Sequence, residues 1–390
     1  MREGVLRLKP ARVRARTHPW VFKGDVADVA DGEPGAPVRV VDARGRFVAR
    51  GLYNPRPALC CRLYTWRDEP LDAAFFRRRV EAAVARRAAG GPVPEVARLV
   101  WSEADGLPGF VCDRYGPVAV VQCLTLGMAR RRVLLVDALR AVLGPLPVFS
   151  ADEPTGAALE GFEPVRGWLD RVGPDRVVVE EGPIRLVVAP GQGQKTGLYL
   201  DQRDNRLAVA ALAPIGGDML DAFAYTGAFA CQALAAGAAR AVCLESSPEA
   251  VAGARDNFRL NGVEDRAEVV AGNAFDELRR LEREGRRFSL VVLDPPPFAR
   301  SRPALEAAAR GYKEVNLRAV RLLAPGGTLL TFSCSYHVSA DRFEDIVREA
   351  AADAGVRLLV RQRLTQSRDH PELLGVPETR YLKGLRLEAS

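Results

Sequence analysis

The sequence predicts an α/β protein whose C-terminal half is a doubly wound, Rossmann-like parallel sheet. Three observations carry that prediction. From about Gly191 onward, short apolar runs alternate with stretches of helical periodicity. The segments before it are strand-rich and punctuated by turns instead. Several of the C-terminal apolar runs end in an acid, an amide or a thiol, where an open α/β sheet binds its ligands.

At 390 residues the chain exceeds one ordinary core. Three parts are predicted: a small β-rich module over 1–70, an α+β segment over 71–190 and the alternating α/β region over 191–390. The N-terminus lacks an apolar core of signal-peptide length, and no run of about eighteen apolar residues occurs, so a cytoplasmic protein without a membrane span is expected. Seven cysteines form no C-x-x-C pair, and with three histidines in the chain neither a structural nor a catalytic metal is expected. The scattered, odd cysteine count reads as reduced thiols. The net charge of +7 concentrates its basic excess in the first segment, which points to a polyanion or simply to a solvated basic face.

In the first segment, Val38–Asp42 and Phe47–Gly51 flank Ala43-Arg44-Gly45-Arg46 as a hairpin with its turn. Trp20, Phe22 and Tyr53 are candidates for stacking on RNA, or for the core of an ordinary small barrel. A helix is predicted over Leu71–Ala89, because Phe75, Phe76, Val80 and Val84 recur at helical spacing before Gly90-Gly91-Pro92. Two strands, Phe110–Asp113 and Val118–Gln122, and a helix near Ala129–Leu143 follow. The polar loop Glu103–Gly109 is the one feature there with chemical content.

In the last region the predicted strands are Met219–Phe223, Ala241–Leu244, Glu268–Val270, Leu290–Leu293, Thr328–Phe332, Arg357–Arg361 and Tyr381–Leu387. Helices include Ser247–Asn261 and Tyr312–Leu323. The final strand has no helix after it, so an antiparallel return is open to it. Asp221 ends the first strand before Phe223-Ala224-Tyr225-Thr226-Gly227. G-x-G-x-x-G is absent, so the turn fits a cofactor without phosphates, and the acid suits an ammonium such as that of S-adenosylmethionine. Glu245 ends the next strand at a spacing suited to a ribose diol. Asn273, before Ala274, is placed to read an adenine edge. Each of these alone could be a helix cap.

Asp294 opens Asp294-Pro295-Pro296-Pro297-Phe298, where prolines fix the loop and remove donors. Cys334 follows the strand Thr328–Phe332. A thiolate there can attack C6 of a pyrimidine and make C5 nucleophilic, while an acid near N3 favours the addition. His337 could orient or deprotonate that thiol, or merely pack in its loop.

Several motifs together carry a resemblance. They are Gly193-Gln194-Lys195-Thr196-Gly197-Leu198-Tyr199-Leu200-Asp201-Gln202-Arg203-Asp204-Asn205-Arg206, Asp105-Gly106-Leu107-Pro108-Gly109-Phe110, Asp221–Gly227, Asp294-Pro295-Pro296, Tyr312-Lys313-Glu314-Val315-Asn316, Ser333-Cys334-Ser335 and Asp369-His370-Pro371. In combination they resemble the bacterial 23S rRNA cytosine-5 methyltransferases. The first segment, with His18-Pro19-Trp20-Val21-Phe22, is similar to that family's PUA domain. The resemblance implies a PUA domain, a central α+β domain and a class I methyltransferase domain using S-adenosyl-L-methionine. It implies a donor site of Asp221, Phe223, Tyr225, Thr226, Gly227, Glu245, Ser246, Asn273, Ala274 and Asp294, closed by Lys195, Tyr199 and Asp201. It further implies Cys334 as nucleophile, Asp294 assisting it, and 23S rRNA or a large-subunit precursor as partner. A homodimer is compatible with it. Asn273 stands where the family commonly has Asp, and Pro297-Phe298 stand where many RNA cytosine-5 methyltransferases have a second cysteine. Two other readings are compatible with the chain: a guanine N-methyltransferase acting on rRNA, and a non-catalytic rRNA-binding assembly factor.

Overall fold

The computed structural model describes residues 4–10, 18–169, 172–191, 196–213, 215–299 and 302–390. Lys195, together with Gly193 and Gln194 of its motif, lies outside the described residues. The contacts divide the chain into two compact units: Met1–Val177 with Val188–Leu198 and Asp369–Thr379, and Val178–Val187 with Tyr199–Arg368 and Arg380–Ser390.

The first unit holds a six-stranded and a five-stranded sheet. In the former, Pro37–Val41 and Phe47–Tyr53 pair antiparallel as the predicted hairpin. Its turn is held by Asp42, whose Oδ1 accepts from the N–H groups of Arg44 and Arg46. The predicted helix runs over Ala73–Ala88. Asp72 caps it by accepting from Phe75 N, and Phe75, Phe76, Val80 and Val84 face the core. It packs on the five-stranded sheet, where Phe110–Tyr115 and Val118–Cys123 pair antiparallel.

The second unit is built on a seven-stranded sheet. Its strands are β1 (Asp218–Ala222), β2 (Arg240–Glu245), β3 (Ala267–Ala271), β4 (Phe288–Leu293), β5 (Leu323–Ser333), β6 (Leu358–Thr365) and β7 (Lys383–Ala389). The order is β3-β2-β1-β4-β5-β7-β6. Strands β1 to β5 are parallel, and β7 runs antiparallel to both β5 and β6. The antiparallel return left open for the last strand is therefore the one adopted. Central strands are buried on both faces, as Phe-Ser-Leu-Val-Val-Leu of β4 shows, whereas the edge strand β6 is largely exposed.

Six helices accompany the sheet: α1 (Arg203–Leu212), α2 (Ala228–Ala235), α3 (Pro248–Leu260), α4 (Ala274–Arg283), α5 (Leu305–Arg321) and α6 (Ala340–Ala354). Helix α3 starts where Ser247 Oγ accepts from Ala250 N with proline at the first turn. Helix α5 begins seven residues before the predicted Tyr312, because Leu305-Glu306-Ala307-Ala308-Ala309-Arg310 consists of strong helix formers. Among the described residues, no helix is long and apolar enough to cross a membrane.

Candidate active site

Register places the strand ends together. Ala222, Leu244, Val270, Leu293 and Thr331 form one row across β1–β5. Phe223, Glu245 and Asp294 therefore leave the sheet side by side at its carboxyl edge, and Cys334 leaves three residues beyond Thr331. The sequence expected its ligand crevice at this edge.

Asp221 is fully buried at the end of β1. One carboxylate oxygen accepts from Ala230 N at 3.3 Å, while Oδ1 has no hydrogen-bond partner. Burial pushes the carboxyl up to about 8, and the charges of Asp294 and Glu245 add to the shift. An orphaned acceptor among three carboxylates fits a cationic ligand.

The turn after β1 is strained. Phe223 and Tyr225 adopt φ of 64° and 50°, in the left-handed region that bulky residues avoid. Glu245 holds this turn, since its Oε2 accepts from Tyr225 N at 2.9 Å. Its Oε1 accepts from Ser246 N and Ser247 N at 2.7 and 2.8 Å. Asn257, fully buried, donates to Thr226 O and braces the turn from α3. Gly227 has φ of 71°, and a Cβ there would meet the Phe258 ring at 2.6 Å, so glycine is required twice over.

Beside the turn lies a cavity of ≈ 170 Å³ lined by Phe223, Glu245, Ser246, Asn273, Ala274 and the Phe298 ring, among others. Phe223, Phe275 and Phe298 form an aromatic wall with ring centroids 5.7–6.5 Å apart. Phe275 and Phe298 were not predicted as site residues; each follows a predicted one closely enough to have been considered. Asn273 is chiefly a helix cap, because its Oδ1 accepts from Phe275 N at 2.9 Å.

Cys334 is half-buried, unlike the six other cysteines, all buried. Its Sγ donates to Pro295 O at 3.8 Å, which joins the thiol to the loop that Asp294 opens. Ser335 Oγ clamps the two loops: it accepts from Ala299 N at 3.2 Å and lies 2.9 Å from Tyr312 Oη. Tyr199 packs edge-on to Tyr225 at 5.1 Å. Burial first, then the charges of Tyr225, Asp294, Asp201 and Cys334, raise its hydroxyl pKa. Arg206 donates to Tyr199 O and is itself locked by a buried ion pair with Glu181, a support the sequence did not disclose. Asp201 is buried and accepts from Tyr381 Oη at 2.6 Å.

His337 packs edge-on against Tyr336 at 5.3 Å. In the first unit, Trp20 is half-buried and its indole N–H donates to Glu103 Oε1 at 2.8 Å, so the ring is tied down. Trp66, not predicted, is the exposed aromatic of that segment at 43%.

A nucleotide-like crevice that is acidic, has an aromatic wall and lacks a phosphate-binding glycine loop defines a methyltransferase. Comparison with known proteins agrees. Residues 164–385 match the S-adenosylmethionine-dependent methyltransferase family model, and residues 6–66 match a PUA-like domain. The "Ribosomal RNA large subunit methyltransferase I" of Alteromonas mediterranea is 39% identical over 98% of this chain and 98% of its own length. The protein of the same name from Shewanella denitrificans is 40% identical over 97% and 98%. A solved putative methyltransferase from Streptococcus mutans superposes with a TM-score of 0.84 at 17% identity, over 98% of this chain and 99% of that one. A second putative methyltransferase, solved in complex with SAH, gives 0.85 at 17% identity over the same shares. The chain belongs to the S-adenosylmethionine-dependent methyltransferase family, with a PUA-like domain before the catalytic fold, and its cofactor is S-adenosylmethionine.

Proposed function

We propose that the chain methylates C5 of a cytosine in large-subunit ribosomal RNA through a covalent adduct at Cys334. The observation that carries this reading is the half-buried thiol held against the Asp294 loop at the carboxyl edge of the donor-binding sheet. The rRNA substrate is supported by the names of relatives that match nearly end to end, and by the PUA-like domain in the basic first segment. 23S rRNA, free or within a precursor particle, is the expected partner.

S-adenosylmethionine, when bound, supplies an electrophilic sulfonium methyl group. Asp221 offers its orphaned oxygen to the ammonium, and Glu245 meets the ribose hydroxyls. Phe223, Phe275 and Phe298, with Ser246, Asn273 and Ala274, would hold the adenine. Tyr199, Asp201, Tyr225, Thr226 and Gly227 would complete the site.

The Cys334 thiolate adds to C6, and the C5–C6 π pair moves toward C5, the atom that takes the methyl. Asp294, in its acid form, hydrogen-bonds at N3, where negative charge develops. A solvent water takes the C5 proton, the C5–H bond pair restores the C5–C6 double bond, and the Sγ–C6 bond breaks with its pair returning to the thiolate.

Cys334→Ala tests this directly. Methyl incorporation into large-subunit rRNA should fall by roughly a thousandfold or more, while calorimetric donor binding stays within about twofold of wild type. Normal turnover by that variant would refute the covalent route and leave a guanine N-methyltransferase as the better reading.

A further inference from the structure

The antiparallel pairing of β7 with β5 sets Lys383 opposite Ser333, the residue before Cys334. The Lys383 ammonium donates to Ser335 O, the residue after Cys334, at 2.6 Å and to Tyr381 O at 3.0 Å. A largely buried cation thus brackets the cysteine from the neighbouring strand. Its two carbonyl acceptors leave it without a neutralising carboxylate in these bonds, which is an unusual arrangement for an interior lysine. Burial holds its pKa down to about 8, Cys334 is the group that favours its charged form, and Arg380 opposes it. Tyr199 and Tyr312 both feel the charge of Cys334, Pro295 O accepts from its Sγ, and the neighbouring Asp294 acts on Tyr199 as well.

We propose that Lys383 is a positioning residue for the Cys334 nucleophile: its ammonium fixes the Ser333–Ser335 loop through Ser335 O and stabilises negative charge on Sγ. The inference deepens the cytosine-5 reading and rests on it for its purpose. A half-buried thiol near tyrosines and the Asp294 loop would ionise reluctantly without a cation nearby. An adjacent ammonium reverses that balance, as it does for other reactive cysteines.

The experiment measures the pH dependence of Cys334 alkylation by iodoacetamide, read by peptide mass spectrometry on the full chain, where the other cysteines are buried. Wild-type protein should show a midpoint below the roughly 8.5 of a free cysteine; a midpoint at or above that value overturns the proposal without any variant. Lys383→Met should raise the midpoint by about one unit and slow alkylation at pH 7 about tenfold. Lys383→Arg, which keeps the charge, should hold the midpoint near wild type. An unmoved midpoint in folded Lys383→Met, or equal rises in both variants, would reduce Lys383 to a structural role. Because the readout needs neither RNA nor turnover, it stays independent of Cys334→Ala, whose retained activity would sink the cytosine-5 reading alone.

Discussion

Both units pair buried charges, but the second also holds buried charged groups without an ionic partner. In the first, interior charges are paired. Arg98 grips Asp113 through two bonds of 2.7 Å, Arg87 and Arg86 converge on Asp105, Arg62 meets Glu160, and Arg132 meets Asp152. Asp369 adds an acceptor for Arg98 N, so the Asp369-His370-Pro371 motif belongs to this same network. The second unit pairs Arg206 with Glu181 in the same manner, but there Asp221 is equally buried with one oxygen unsatisfied and other acids as neighbours. Lys383 is bonded there to carbonyls. Paired buried charges hold a fold together, whereas unpaired ones mark where an external charge or a reactive group is meant to go.

That contrast can be broken from either side. The largest effect on stability is expected in the first unit. Arg98→Met leaves Asp113 buried without its guanidinium and should cost about 3–5 kcal/mol, read by denaturant unfolding. Removing the Asp221 carboxylate of the second unit should do the reverse. Asp221→Asn keeps the shape and removes a carboxyl that must be held protonated on folding, so the donor-free protein should melt at least as high as wild type, by about 2 °C more. The same variant should bind S-adenosylmethionine some tenfold to a hundredfold more weakly in calorimetry, for want of a charged partner to the ammonium. A lower melting point in Asp221→Asn would show that the carboxylate is structural after all.

A smaller effect is the pH dependence of binding. The folded carboxyl of Asp221 titrates near 8, above its ordinary 3.8. Its contribution to stability is therefore fully present below about pH 3.8 and is lost as pH rises through about 8. At pH 7 the donor-free protein holds a proton there that an ammonium must displace. Donor affinity should rise with pH up to about 8 and level off above it, with proton release visible as a buffer-dependent binding enthalpy. Asp221→Asn should abolish both trends.

Much of this site was legible in the sequence because it is local. Asp221, Glu245, Asp294 and Cys334 each end an apolar run, and parallel register turns four separate run ends into one crevice. What stayed hidden depends on long-range pairing. Lys383 reaches Cys334 only because the last strand returns antiparallel, and the Arg206–Glu181 lock behind Tyr199 joins residues from two elements with no shared motif. Residue type also misled in places. Asn273 spends its carbonyl oxygen on a helix cap, His337 turns to Tyr336, and Trp20 is pinned by Glu103. In each case the fold supplies a nearby hydrogen-bond or ring partner of the kind that the sequence left open as the alternative.

The most direct test of the covalent account uses large-subunit rRNA containing 5-fluorocytosine, incubated with the protein and S-adenosylmethionine. Fluorine cannot leave C5 as the proton does, so the Sγ–C6 bond should persist. Mass spectrometry should then find the Cys334 peptide joined to a methylated, fluorinated nucleotide. Unmodified Cys334 in protein that methylates ordinary rRNA under the same conditions would contradict the account.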